Sequence, residues 1–169
     1  MRVAIVGGTG GFGLALAKRL AEAGYDVVVG SRDPERAATA AATVGVQGAT
    51  NADAVVVAPS NPYTSIHPIL AVGAIRDEVA ARRTRTVAVS PLVGGRAVKG
   101  PLDRMLTRMG GGTSPAHVTQ CYEGLIGALV VDRADAPAYA EVPLVVTDTL
   151  MTDRDAARRL AETVLEAVA

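Results

Sequence analysis

The sequence predicts an α/β fold: a doubly wound, Rossmann-like domain with a mainly parallel sheet and helices on both faces. Three observations carry this. Short runs such as Val3-Ala4-Ile5-Val6, Ala54 to Ala58 and Thr86 to Val89 are apolar or β-branched at consecutive positions, which marks strands buried on both faces. Ala- and Leu-rich stretches at helical spacing separate them, the alternation of parallel strands and crossover helices. A glycine-rich turn joins the first strand to the first helix. The 169 residues suit one α/β domain with a sizeable core.

The elements follow in order. Val3 to Val6 is a buried strand. Leu14 to Ala23 is a helix ended by Gly24, and Asp26 to Val29 a second strand. Asp33-Pro34-Glu35 is a strong helix start, with Asp as N-cap and Pro in the first turn. That helix runs to about Val44. Val46 to Ala49 suggests a short strand, and Ala54 to Ala58 a clear one, broken by Pro59-Ser60-Asn61-Pro62. Helical spacing covers Ile69 to Arg82. Thr86 to Val89 is a strand ended by Ser90-Pro91. A helix from about Gly100 to Met109 leads to Gly110-Gly111-Gly112, read as the most flexible point. Ala116 to Leu125 reads as helix, and Ala128 to Val131 and Leu144 to Val146 as strands. Thr152 is the expected cap of a last helix, with Ala156, Leu160, Val164 and Val168 on one stripe.

Composition excludes several classes. The 17 Lys and Arg balance 17 Asp and Glu, so the chain lacks the basic surplus of a general nucleic-acid binder. Aromatic residues make up 3%, too few for a base-stacking platform. A single cysteine, Cys121, rules out an internal disulfide. No apolar run approaches the roughly 20 residues of a membrane span, and no targeting segment is visible. The expectation is a soluble cytoplasmic protein binding small molecules, with no nucleic-acid or membrane partner.

Gly8-Thr9-Gly10-Gly11-Phe12-Gly13 matches G-x-G-x-x-G after a strand and at the start of a helix, the context of a dinucleotide fingerprint. Gly8 permits the tight turn, Gly10 the approach of a diphosphate, and Gly13 close helix packing. Backbone N–H groups and the helix dipole would hold the phosphates. An NAD site usually has Asp or Glu at the end of the second strand. Here Gly30-Ser31-Arg32 stands there, and Ser31 with Arg32 suits a 2′-phosphate, favouring NADP(H). The bland alternative is a structural turn followed by a surface arginine.

Residues 1 to about 53, through the glycine loop, Gly30-Ser31-Arg32-Asp33-Pro34-Glu35-Arg36-Ala37 and Gly48-Ala49-Thr50-Asn51, closely resemble the N-terminus of NADPH-dependent reductases of the deazaflavin coenzyme F-420. The resemblance implies that the loop holds the NADP diphosphate, that Ser31 and Arg32 hold the 2′-phosphate, and that hydride passes between nicotinamide and deazaflavin. Residues 54–169 instead resemble 2-phospho-L-lactate transferases. The matching segments are Ala58-Pro59-Ser60-Asn61-Pro62, Ser90-Pro91-Leu92-Val93-Gly94-Gly95, Ala97-Val98-Lys99-Gly100-Pro101 and Val146-Thr147-Asp148-Thr149-Leu150-Met151. That resemblance implies transfer of a phospholactyl or related phospho-carboxylate unit. The donor would be guanosine diphosphate-activated, the acceptor a hydroxyl of the deazaflavin precursor, and the metal Mg²⁺.

From the residues alone, the loops after the strands at 54 and 86 suit an anion. Ser60, Asn61 and Ser90 are short donors, Gly94 and Gly95 offer bare N–H groups, and Arg96 and Lys99 supply charge. Ordinary turn chemistry uses the same residue types. Asp148, and with less weight Asp132 and Asp135, are the carboxylates that could hold Mg²⁺ beside phosphates. His67 and His117 have no metal-ligand spacing, and Cys121 reads as a buried structural thiol. The Arg82-Arg83-Thr84-Arg85 cluster reads as a helix C-terminal charge cap. No catalytic residue is assigned.

Three readings result. The first is a transferase of deazaflavin coenzyme biosynthesis, and the second an NADPH-dependent deazaflavin oxidoreductase. The third is a nucleotide-binding protein without turnover. The cofactor is accordingly NADP(H), or a guanosine nucleotide with Mg²⁺. The acceptor segment of the transferases has no counterpart between Arg32 and Asp53, and a homodimer is one way to supply missing pocket walls.

Overall fold

The computed structural model describes residues 2–6, 10–30, 34–46 and 54–168. Its strands are β1 (Arg2–Val6), β2 (Asp26–Gly30), β3 (Ala54–Val57), β4 (Thr86–Val89), β5 (Leu92–Val93), β6 (Arg96–Ala97), β7 (Ala128–Asp132) and β8 (Leu144–Thr147). Its helices are α1 (Gly11–Glu22), α2 (Pro34–Thr43), α3 (His67–Leu70), α4 (Gly73–Ala81), α5 (Leu102–Arg108), α6 (Pro115–Gln120) and α7 (Arg154–Glu166). Six strands form one sheet in the order β2-β1-β3-β4-β7-β8. Every pairing in it is parallel, as the consecutive apolar runs predict.

Alternate side chains on each strand point to opposite faces. Val3, Ile5, Val56, Val87, Val89 and Val130 pack with Leu16 and Leu20 of α1, Ala41 of α2, and Leu160 and Val164 of α7. Val6, Val55, Val57, Ala88, Leu129 and Val131 pack with Ile69 and Leu70 of α3, Val79 of α4, Leu102 and Leu106 of α5, and Val118 of α6. Both faces are covered, so the sheet is doubly wound. The predicted stripe of Ala156, Leu160, Val164 and Val168 is buried.

The order places β2 on one side of β1 and β3 on the other. The chain therefore reverses direction across the sheet between β1 and β3. The carboxyl ends of strands at such a reversal are where open α/β sheets bind ligands.

Four local readings change. The helix read over Ile69 to Arg82 is split, because Val72 is extended (ψ 108) and starts α4 anew. The helix read over Ala116 to Leu125 stops at Gln120 and continues as turns. The last helix is capped by Asp153, whose carboxylate accepts from Ala156 N at 2.8 Å, and not by Thr152. Val46 lies outside any strand, and the rest of the Val46 to Ala49 reading falls outside the described residues.

A fifth change concerns Gly94 and Gly95. Both have positive φ, 58° and 70°, which makes the tight turn of a hairpin between β5 and β6. The Gly95 N–H, read as bare, donates to Asp135 Oδ1 at 2.6 Å.

Candidate functional site

A cavity of about 290 Å³ sits over the carboxyl end of the sheet at this reversal. Five chain segments build it. Phe12 comes from the first turn of α1, Pro59, Ser60, Asn61, Thr64 and Ser65 from the loop after β3, and Ser90 and Pro91 from the end of β4. Val98, Lys99, Pro101, Leu102, Thr149 and Leu150 complete it. Its described lining holds five hydroxyls and one side-chain amide. Its mouth is apolar, since Val98 and Leu150 are both more than 40% exposed. Lys99 is the only ionisable side chain among the described lining residues.

Local chemistry fixes the loop after β3. Asn61 is extended, and its Oδ1 accepts from Tyr63 N (3.0 Å) and Thr64 N (3.3 Å), capping a π-helical turn over Pro62–Ile66. That turn carries Thr64 and Ser65 into the cavity wall. Ser60 Oγ lies 3.9 Å from where a Cβ on Gly10 would stand, so the two loops of the crevice touch there. Helix α1 starts after Gly10 with no side-chain cap and no acidic residue in its first turn. Among the described residues, no side chain caps its first N–H groups, the donors that suit an anion. Ser90 Oγ accepts from Leu92 N at 3.2 Å and keeps its own proton to donate.

The structure brings together Phe12, Ser60, Asn61, Ser90 and Lys99 of the residues singled out from sequence. Gly10, Gly11 and Gly13 are at the start of α1, with Gly13 buried in the helix. Gly8, Thr9, Ser31 and Arg32 lie outside the described residues. Gly95 and Arg96 line a different hollow, beside α5. Thr64, Ser65, Thr149 and Leu150 were missed. Thr149 and Leu150 follow β8 at its carboxyl end, the placement that singled out Ser60 and Ser90.

Asp148 is exposed, with its Oδ1 3.1 Å from Arg133 Nε. Asp132 is buried and accepts from Ala134 N, Thr149 N and Thr149 Oγ1 at 3.0, 2.9 and 3.1 Å. Among the described residues, no three His, Cys, Asp or Glu side chains group as metal ligands. The described lining offers Mg²⁺ no carboxylate, so the fit to a protein-held metal fails.

The sequence profile of 2-phospho-L-lactate transferase CofD matches residues 16–167. The chain belongs to this family. A 2-phospho-L-lactate transferase of Methanocaldococcus jannaschii is 34% identical over 123 residues, 72% of this chain and 39% of its own length. A phosphoenolpyruvate transferase of Streptomyces griseus is 38% identical over 122 residues, 69% of this chain and 38% of its own. One of Kitasatospora aureofaciens is 37% identical over 139 residues, 78% and 43% respectively. The chain thus spans about two fifths of the length of these relatives. The CofD match crosses residue 53 and takes in the end of α1, β2 and α2, residues 16–53 of the segment read as reductase-like, while the glycine loop lies before it. The comparisons support the transferase part of the resemblance and lend none to the reductase part.

In this CofD-family chain the π-helical turn is held from behind. Tyr63 Oη donates to His117 Nε2 at 2.9 Å. The assignment follows from the other ring nitrogen, since Nδ1 lies 2.8 Å from the Gly112 carbonyl, which can only accept. Cys121 Sγ donates to Tyr63 Oη at 3.6 Å, and His67 Nε2 donates to the Cys121 carbonyl at 2.8 Å. Burial, with the Cys121 contact, pushes the Tyr63 phenol up to about 12. Burial also pushes the Cys121 thiol up, more than its hydrogen bond to Tyr63 lowers it, which makes it a poor nucleophile. Within Gly110 to Gly112, read as the most flexible point, the Gly112 carbonyl is bonded to this imidazole.

Asp132 gives a pH prediction. Burial pushes its carboxyl up, but the hydrogen bonds from Ala134 and Thr149 and the charge of Arg133 outweigh that and hold it below its ordinary 3.8. A lowered folded-state value adds stability that is complete above 3.8 and is lost as pH falls through the lower folded value. Asp132→Asn should therefore lower the melting temperature at neutral pH, and the gap to wild type should close on acidification below 3.8. Melting curves at stepped pH check it.

Proposed function

We propose that the cavity between β1 and β3 binds the diphosphate of a nucleotide-activated donor, and that the chain serves transfer of a phospho-carboxylate unit in deazaflavin coenzyme biosynthesis. The observation that carries this is a crevice beside the start of α1 whose described lining holds five hydroxyls, one side-chain amide and one cation, Lys99. The family match supports the transferase class. The names of the relatives divide between phospholactate and phosphoenolpyruvate, so the proposal extends to a phosphorylated three-carbon acid and no further.

The chemistry balances simply. An acceptor hydroxyl oxygen attacks the donor phosphorus that bears the three-carbon acid. A new P–O bond forms, the diphosphate bridge breaks, and guanosine monophosphate leaves. The hydroxyl proton passes to solvent. Little covalent work falls to the protein, and catalysis is positioning plus charge neutralisation. Ser60 and Ser90 hydroxyls and the α1 N–H groups would donate to phosphate oxygens, and Lys99 would offset the charge building on the leaving group. The apolar mouth of Phe12, Val98 and Leu150 would lie against a flat ring. Mg²⁺ would have to be carried by the phosphates themselves, and no step here depends on it.

A nucleotide panel tests the reading. Guanosine diphosphate should raise the melting temperature in a concentration-dependent way, and NADPH should not. A shift with NADPH alone would overturn it.

A further inference from the structure

Arg96 and Lys99 are three residues apart, yet the chain sends them to different hollows. Lys99 lines the cavity over the sheet. Arg96, on β6, lines an open hollow of about 490 Å³ beside α5 together with Arg104 and Arg108. We infer that this arginine hollow is a second anion site, separate from the nucleotide cavity, and that it takes a phosphate dianion, free or as the end of a phosphate ester.

Three observations support it. First, the three guanidiniums have no carboxylate partner among the described residues. By contrast Arg19, Arg82, Arg133, Arg154 and Arg158 are all paired with acids. Asp103, the one acid in the hollow, turns back on its own helix and accepts from Arg104 N at 2.8 Å.

Second, Arg104 and Arg108 are four apart on one turn-to-turn face of α5, where like charges repel and lower helix stability. In a chain of zero net charge a local surplus of this kind is a feature of the surface, not of the composition. Third, Thr113 adds a hydroxyl to the same hollow, whereas Thr107 Oγ1 donates to the Asp103 carbonyl at 3.0 Å. Guanidinium forks pair with the oxygens of phosphate two at a time. Three forks match the three free oxygens and double charge of a phosphate group better than the two oxygens and single charge of a carboxylate.

The two sites are coupled by the chain itself. The segment from Arg96 to Lys99 runs from one to the other, and α5 separates them, with Met105 Sδ accepting from Asn61 Nδ2 at 3.4 Å on the cavity side. An anion drawn to Arg96 therefore acts on the segment that carries Lys99. The inference does not depend on which nucleotide fills the cavity.

The test is titration calorimetry with inorganic phosphate and with glycerol 1-phosphate, at constant ionic strength, on wild type, R104Q/R108Q and K99Q. Saturable binding is expected in wild type and in K99Q, weakened at least tenfold in R104Q/R108Q. Tighter binding of the ester than of inorganic phosphate assigns the site to a phosphorylated small molecule. Equal binding assigns it to the free ion. The double variant should melt no lower than wild type, since it removes a repulsion at exposed positions. No saturable heat overturns the inference, as do malonate binding equally tightly and K99Q losing binding as much as R104Q/R108Q. Failure of guanosine diphosphate to bind would overturn the proposed function and leave this result untouched.

Discussion

Lys99→Gln should weaken binding of guanosine diphosphate about tenfold while leaving the fold intact. Lys99 is the single cation among the described residues of the cavity wall, and a hydrogen bond to a charged group contributes about 1.5–3 kcal/mol. The side chain is exposed, so water and salt screen it and the effect falls at the lower end of that range. The loss should also shrink as salt rises, because screening removes the same interaction in wild type. Calorimetric titration at low and high ionic strength reads both effects. Equal affinity of the two proteins at low salt would remove Lys99 from the site.

Gly111→Ala should lower the melting temperature by about 4–12 °C, an unusual result for an exposed glycine without positive φ. The cause is steric. A Cβ there would stand 2.0 Å from Cε1 and Nδ1 of His117. The ring is buried and held on both sides, by Gly112 O and by Tyr63 Oη, so it cannot yield without losing both bonds. Two hydrogen bonds at about 1 kcal/mol each, plus repacking, give roughly 2–3 kcal/mol. For a chain of this size each kcal/mol moves the midpoint about 2–4 °C. Gly73→Ala is the control: a Cβ there meets nothing within 4 Å, and the change should be neutral or slightly stabilising. In a Gly111→Ala, His117→Ala double variant the two effects should not add, since the same contact is lost twice.

The sheet was legible because its strands are apolar on both faces. Thr86–Val89 has the bounds its sequence suggests, and the last helix shows its buried stripe directly. Boundaries were less legible where two acceptors compete. Thr152 and Asp153 can both cap a helix, and the carboxylate takes the N–H of Ala156.

Cavity-lining residues were legible where they follow a strand, as Ser60, Asn61 and Ser90 do. The grouping of Gly94, Gly95, Arg96 and Lys99 into one clamp was not, because a two-residue glycine turn makes a hairpin and sends Arg96 and Lys99 to different sides. The support for the π-helical turn was not legible either. Tyr63 and His117 are 54 residues apart, and nothing local in the sequence marks a tyrosine as the partner of that histidine.

The central claim is that the crevice between β1 and β3 is the nucleotide site. Its most direct measurement is a crystal structure of the chain grown with guanosine diphosphate. The account predicts phosphate density against the first turn of α1, within reach of Ser60, Ser90 and Lys99, and the base toward the apolar mouth. Diphosphate density elsewhere on the molecule, with this crevice filled only by water, would contradict it.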